Sequence, residues 1–436
     1  MKKIIVLLSA CIIIFSCNEK KKPDTSVADL NTIAKKYVQL GLLIGQYDGD
    51  FVDAYYGPDS LKPVQPKLAA FPNDSLLASV NGLSAELKQI MDATSDDTLR
   101  NRANWISQQL IAFGRRIKIF SGEQKPFDEE SKELFGVTAP NHDEKYFQEL
   151  IKELDSLLPG NGTLQEKFQQ LSNKFIIPKD KLDTVFKTAI AEARKRTLSH
   201  YSLPTEENFT LEYVTNKPWS GYNWYKGNYK SVIQINTDLP ILIDRAIDLA
   251  CHEGYPGHHV YNMLLEKNLY HDKGDVEMCM YPLFSPQSLI AEGSANYGIQ
   301  VCFPGDEAKI FTKNILLPIA GLDTAGIDFY FRAGAVRTKL NYARNEVARG
   351  IINKTMDEAE AIRWLKNYAL FSDDGAKKSI SFITKYRSYV INYNYGQDMV
   401  KNYIESNGGT AANSSKRWEL FGKLLSNQVV TGDLLK

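Results

Sequence analysis

Three of the six histidines in the chain fall within eight residues, in the segment His252-Glu253-Gly254-Tyr255-Pro256-Gly257-His258-His259. Neutral imidazoles are good ligands for zinc and its neighbours, and a carboxylate beside them can take the proton of a water that the metal acidifies. The segment therefore reads as half of a catalytic metal site, with His252 as a ligand and Glu253 as general base. The familiar arrangement, His-Glu-x-x-His, holds its ligands four apart on one helix face. Here the next histidine comes six residues on. That is about 600° around an ideal helix, so an unbroken helix would point His252 and His258 about 120° apart and return His259 to the His252 face. Pro256 disfavours helical geometry at Tyr255, and Gly257 relaxes the chain further. A break or bulge there favours His258 as the second ligand, with His259 beside it orienting a ligand or touching substrate; His259 is the alternative ligand.

A catalytic zinc normally takes three protein ligands and keeps one position open. Glu292, 40 residues after His252, is the best third candidate. Ser285-Pro286 has the form of an N-cap followed by proline at the first helical position, starting a helix that carries Glu292. Asn296, one turn later, and Asp248, one turn before His252, are candidates to hydrogen-bond the ligands. Two imidazoles and a carboxylate suit Zn2+ best, with manganese, cobalt or iron as alternatives. A helical di-iron site would need Glu-x-x-His pairs, and the chain contains none.

The elements that must position these residues are mostly helices. Leu76, Leu77, Val80, Leu83, Leu87, Ile90 and Met91 recur at helical spacing, as do Phe147 to Leu158 and Leu182 to Ala193. Thr355-Met356-Asp357-Glu358 has the capping-box form ahead of a further helix. From Asn208 to Asn236 aromatic and β-branched residues dominate, and Ser231–Asn236 reads as a strand of a small sheet. Thr237 or Asp238, followed by Pro240, is expected to cap the helix that runs into the histidine cluster. The expected fold is mainly α, a large helical body with a small β-sheet next to the active-site helix. The strand Ser231–Asn236 is a candidate edge for an extended peptide, and Trp219, Tyr222, Trp224 and Tyr225 are candidates to wall a cleft.

Composition sets the surroundings. The 436 residues carry 52 Lys+Arg against 52 Asp+Glu and are 43% apolar, which is ordinary globular composition. A neutral chain lacks the basic surplus of a nucleic-acid binder. Lys2 and Lys3 precede an apolar run, Ile4 to Phe15, shorter than the roughly 20 residues of a membrane-spanning helix. It reads as an export signal, and Ile14-Phe15-Ser16-Cys17 resembles a lipobox; Leu8-Ser9-Ala10-Cys11 fits the consensus better locally but would cut the apolar run in half, so Cys17 is preferred, with a plain signal peptide as the alternative. The expected organisation is a lipoprotein signal peptide over 1–17 with Cys17 lipidated, a polar tether over 18–29, and one catalytic body over 30–436 with 208–302 as its metal-site core. The expected location is an exported bacterial lipoprotein, periplasmic or at the cell surface, whose contact with the membrane is that lipid alone. Cys251, Cys279 and Cys302 are too few for a disulfide framework and read as buried thiols, with one disulfide-bonded pair as the alternative.

The histidine block resembles the signature of the bacterial domain of unknown function 885 family, His-Glu-x-x-Pro-Gly-His-His, a family similar to helical zinc metallopeptidases of the gluzincin type. Glu292-Gly293, Ala295 and Tyr297 match its downstream Glu-Gly-x-Ala-x-Tyr element, with Ser294 and Asn296 in place of the usual tryptophan and leucine. Asp53-Ala54-Tyr55-Tyr56-Gly57-Pro58, Pro218 to Tyr225 and Tyr393-Asn394-Tyr395-Gly396 are weaker matches. The resemblance implies His252, His258 and Glu292 as metal ligands and Glu253 as the catalytic carboxylate. The expected activity is zinc-dependent hydrolysis of peptide bonds in short peptides, aminopeptidase- or dipeptidase-like by analogy, with His259, Tyr393, Tyr395 or Arg387 as candidate donors to the oxyanion. The alternatives are a metal-dependent hydrolase of another amide or ester and a metal-containing binding lipoprotein without turnover. Glu253 argues against the last, since a binding module needs no carboxylate beside its metal ligand.

Overall fold

The computed structural model describes residues 25–64, 66–217 and 219–435. The proposed signal segment with Cys17, most of the tether and Pro218 lie outside the described residues. The helix Thr25–Gly45 begins inside the stretch expected to be tether. The chain is mainly helical, and helices occupy the positions given by periodicity: Asn73–Ala93, Glu144–Leu157 and Leu182–Leu198 each bury the apolar stripe read from the sequence. Buried residues from Leu30 to Leu434 form one hydrophobic cluster. Among the described residues no helix is long and apolar enough to cross a membrane. Cys251, Cys279 and Cys302 are free and buried.

Among the described residues, five short strands make two sheets. β1 (Val52–Tyr55) pairs antiparallel with β5 (Met280–Pro282). β2 (Asn208–Val214), β3 (Gly221–Gly227) and β4 (Lys230–Asn236) form a second sheet in the order β2-β4-β3. β4 runs parallel to β2 and antiparallel to β3. Asn228 and Tyr229, at φ 53° and 60°, give the left-handed pair that a tight hairpin needs. β4 is therefore the central strand, and the edges are β2 and β3, not Ser231–Asn236.

Two helix starts differ from expectation. The helix before the histidine cluster begins at Asp244, not at Thr237 or Asp238. The intervening chain is tied down in extended form: the Ile177 amide donates to the Ile241 carbonyl at 2.9 Å and the Ile243 amide to the Phe175 carbonyl at 2.8 Å. The later helix is capped by Asp357, which accepts from the Glu360 amide at 2.8 Å, so Thr355 plays no capping part.

The helix Pro286–Cys302 is buried on almost every side and crosses the helix Ile391–Ser406. At the crossing, a Cβ on Gly293 would lie 2.4 Å from the backbone carbonyl of Gly396, so the helices meet backbone to backbone. Overpacking such a contact costs about 1–3 kcal/mol or more. Gly293→Ala is therefore expected to lose at least about 2 kcal/mol in denaturant unfolding. Gly82→Ala, at an exposed helical glycine with nothing within 4 Å, should be neutral or gain up to about 1 kcal/mol.

Candidate metal centre

The helix Asp244–Leu249 widens into a π-turn over Ala250–Gly254, stops at Tyr255, which is extended (φ −120°, ψ 113°), and restarts as His258–Leu265. The Pro256-Gly257 interruption thus resets the helical phase. It turns the His258 ring toward His252, with ring centroids 4.8 Å apart and planes at 83°.

Glu292 reaches the same point from the Pro286–Cys302 helix. Its Oε2 lies 3.5 Å from His252 Nε2 and 3.8 Å from His258 Nε2, and one ligand atom from each of the three residues lies within 4.8 Å of the others. Ligands about 2.0–2.1 Å from a tetrahedral ion sit about 3.3 Å apart, so the three atoms need close only slightly around one. Glu292 Oε2 is buried with no hydrogen-bond partner, while Oε1 accepts from the Tyr389 hydroxyl at 3.0 Å. A buried, donorless carboxylate oxygen is costly, and a cation between the three side chains would satisfy it. The residues fit a divalent metal.

Neighbours hold the three side chains in place. Asn296 Oδ1 lies 3.1 Å from His252 Nδ1, which leaves Nε2 facing the centre, and Asn296 Nδ2 donates to the Tyr393 carbonyl at 2.9 Å. Glu253 Oε1 is 3.9 Å from His252 Nε2. Gly221 of β3 lies directly over this carboxylate: a Cβ there would come 3.1 Å from Glu253 Oε1 and 2.5 Å from Leu249 Cδ2. Asn223, also on β3, donates to the Glu253 carbonyl at 2.7 Å.

The centre opens into a cavity of about 1010 Å³, walled in part by Trp219, Tyr222, Trp224, Tyr389 and Tyr393. Tyr225, the fourth aromatic expected there, instead donates to the buried Glu266. Burial, with Glu292 and Asp53 nearby, raises Glu253 to about 7 despite the opposing pull of His258. Burial alone would depress His258, but Glu292, Glu253 and Asp53 raise it to about 9. Burial and then His258 depress His252 to about 4. Without metal, the cluster's proton therefore sits on His258.

Other expectations are corrected. His259 is fully buried and turned away from the cavity, its Nδ1 2.8 Å from Ser231 Oγ and its Nε2 3.1 Å from Glu207 Oε2. Tyr255 and Arg194 donate to the same Glu207, at 2.5 and 2.8 Å, and this network pins the second histidine helix to the sheet. Both ring nitrogens are engaged, so His259 is neither a donor to substrate nor a ligand. Arg387 is paired with Glu130 at 2.6 Å, Tyr395 does not line the cavity, and Asp248 pairs with Arg245 rather than with His252. Tyr393 does line it.

The sequence reading assigned no role to Asp53, Tyr389 or Arg344, all of which line the cavity. Asp53 accepts a hydrogen bond from Tyr222, and burial raises it to about 6. Its one signal was its place in the Asp53–Pro58 block; Tyr389 and Arg344 had none.

No protein-family model and no curated protein matches the chain. Among solved structures it is similar to a candidate lipoprotein from Colwellia psychrerythraea, with TM-score 0.52 and 12% identity over 83% of this chain and 68% of that one. It also aligns with the M32 carboxypeptidase of Deinococcus radiodurans R1 (TM-score 0.46, 11% identity, 94% of this chain and 95% of that one). Metallocarboxypeptidase 1 of Trypanosoma cruzi aligns with TM-score 0.44 and 10% identity over the same shares. The first likeness is one of fold; the other two are too distant to carry an argument.

Glu253 and His258 bind a proton more tightly folded than unfolded, their values rising from 4.5 to about 7 and from 6.5 to about 9. Stability from such groups is present at low pH and is lost as pH rises through the folded values. Below pH 6.5 the depressed His252 acts in the opposite sense, so the clear window is pH 6.5 to 9. Calorimetry of the metal-free protein should show Tm falling across that window, and saturating zinc, which replaces the His258 proton, should remove the fall. A metal-free Tm that stays level or climbs there contradicts the assignment.

Proposed function

We propose that the chain is a metal-dependent hydrolase of peptide bonds in short peptides, with His252, His258 and Glu292 holding Zn2+. The observation that carries the reading is the buried Glu253 carboxylate beside three converging ligand side chains, at the floor of a cavity large enough for a peptide. A metal held there supplies polarisation of the scissile carbonyl and acidification of a water.

The chain's own residues do the rest. Glu253, held near neutrality by burial, takes the proton of the attacking water and returns it to the leaving amine. Asn296 fixes the His252 tautomer and Tyr389 fixes the Glu292 carboxylate, so the ligand atoms keep their places through the reaction. Tyr393, on the cavity wall, is the donor offered to the oxyanion. The outer edge of β3, from Gly221 to Trp224, lies along the cavity, and an extended peptide can add main-chain hydrogen bonds there. The aromatic residues Trp219, Tyr222 and Trp224 pack in sequence along that wall and offer ring faces to a substrate. We further propose that the segment ending at Cys17 exports the protein and anchors it by lipid.

Two substitutions test the reading on a mixed peptide library with elemental analysis of the purified protein. Glu253→Gln should keep its metal and lose about 10²–10⁴ in kcat/KM. His252→Ala should lose the metal itself. Equal hydrolysis by wild type and Glu253→Gln removes Glu253 as the base, and unchanged metal content in His252→Ala removes the ligand set.

A further inference from the structure

Arg344, near the start of the helix Ala343–Ile352, lines the same cavity as Glu253 and Glu292. Its guanidinium carbon is 5.5 Å from the centre of the Phe382 ring, and the Tyr393 ring is 6.3 Å from that same ring. Arg344 and Tyr393 thus flank one aromatic side chain, and Tyr393 is the neighbour whose charge environment includes Arg344, Glu292 and Glu253 together.

Among the described residues, only the Phe382 ring answers the charge of the guanidinium. Among the described residues no carboxylate pairs with it, and its Nε is buried without a hydrogen-bond partner. Elsewhere the fold matches its buried arginines: Arg102 meets Glu277 at 2.7 Å, Arg116 meets Asp48 at 2.6 Å, and Arg349 meets Glu346 at 3.1 Å. A partly buried charge without a partner is a net cost to the folded chain. At a cavity wall, what enters the cavity can satisfy it, and the planar fork of a guanidinium is matched by a carboxylate.

We propose that Arg344 binds the free C-terminal carboxylate of the substrate, so that the bond presented to Glu253 and the metal ligands is the last one in the peptide. This rests on the peptidase reading and narrows it from short peptides in general to removal of C-terminal residues, dipeptides included. Water adds across that bond: the acyl carbon gains the hydroxyl, the released residue's nitrogen gains the proton, and no redox partner is needed.

The test compares N-acetylated peptides with a free C-terminus against the same peptides as C-terminal amides, using the zinc-loaded full chain. Wild type should prefer the free acid at least 100-fold in kcat/KM. Arg344→Met should abolish that preference while leaving amide turnover and metal content unchanged, Arg344→Lys should restore part of it, and Arg337→Ala, which removes another cavity arginine, should leave it intact. Because the guanidinium has no ion pair to lose, Arg344→Met should keep or raise Tm; a purely structural arginine would lower it. Equal cleavage of acids and amides by wild type, an equal loss on both in Arg344→Met, or cleavage that N-acetylation prevents and amidation does not, overturns the proposal. Calorimetry on the metal-free protein separates the two readings, with N-acetylphenylalanine and its amide as probes. Binding of the acid alone, lost in Arg344→Met, upholds the carboxylate site even if no peptide is cleaved; no difference between acid and amide overturns the site even if peptides are cleaved.

Discussion

A carboxylate oxygen buried without a donor is among the more expensive features a fold can carry, and Glu292 Oε2 is such an atom. Much of the centre answers to it. Tyr389 satisfies the other oxygen, two imidazoles from separate helical segments turn toward the unsatisfied one, and the proton of the metal-free cluster settles on His258. The π-turn and break at 250–257 have a physical purpose in these terms. A continuous helix would carry His258 around to another face and bring back only His259, about 10 Å along the axis from His252, too far for both imidazoles to meet one carboxylate.

Behind the three converging side chains stands a second polar layer that never touches the cavity. Glu207 collects His259, Tyr255 and Arg194, and the hydrogen bonds and charges of those groups hold it down at about 2 against the pull of burial. Ser231 ties the same imidazole to the central strand. The last two histidines of the cluster thus divide the work: His258 faces the centre, and His259 fastens the helix that carries it.

What the sequence disclosed depended on how local the determinant was. The spacing of His252 and His258 around Pro256-Gly257, the Ser285-Pro286 helix start and the amphipathic helices all lie within a few residues, and they were legible. The side of the break on which His259 would fall was not, because Ser231 and Glu207 decide it from elsewhere in the chain. Strand order failed for the same reason: β4 looks like any half-buried strand until β2 pairs with it in parallel. Asp53, Tyr389 and Arg344 arrive from segments remote from the histidine block, with residue types too common to stand out.

The glycine contact between the Pro286–Cys302 and Ile391–Ser406 helices bears on motion. Where side chains separate two helices, rotamer changes give a soft layer through which the pair can slide; where backbone rests on backbone, that compliance is missing. Glu292 neighbours this joint on one helix and Tyr393 lies three residues before it on the other, so the joint leaves little slack between the carboxylate and the tyrosine. Breathing of the cavity to admit or release a molecule is left to the facing wall, where Trp219 and Trp224 stand on and beside a strand with a free edge.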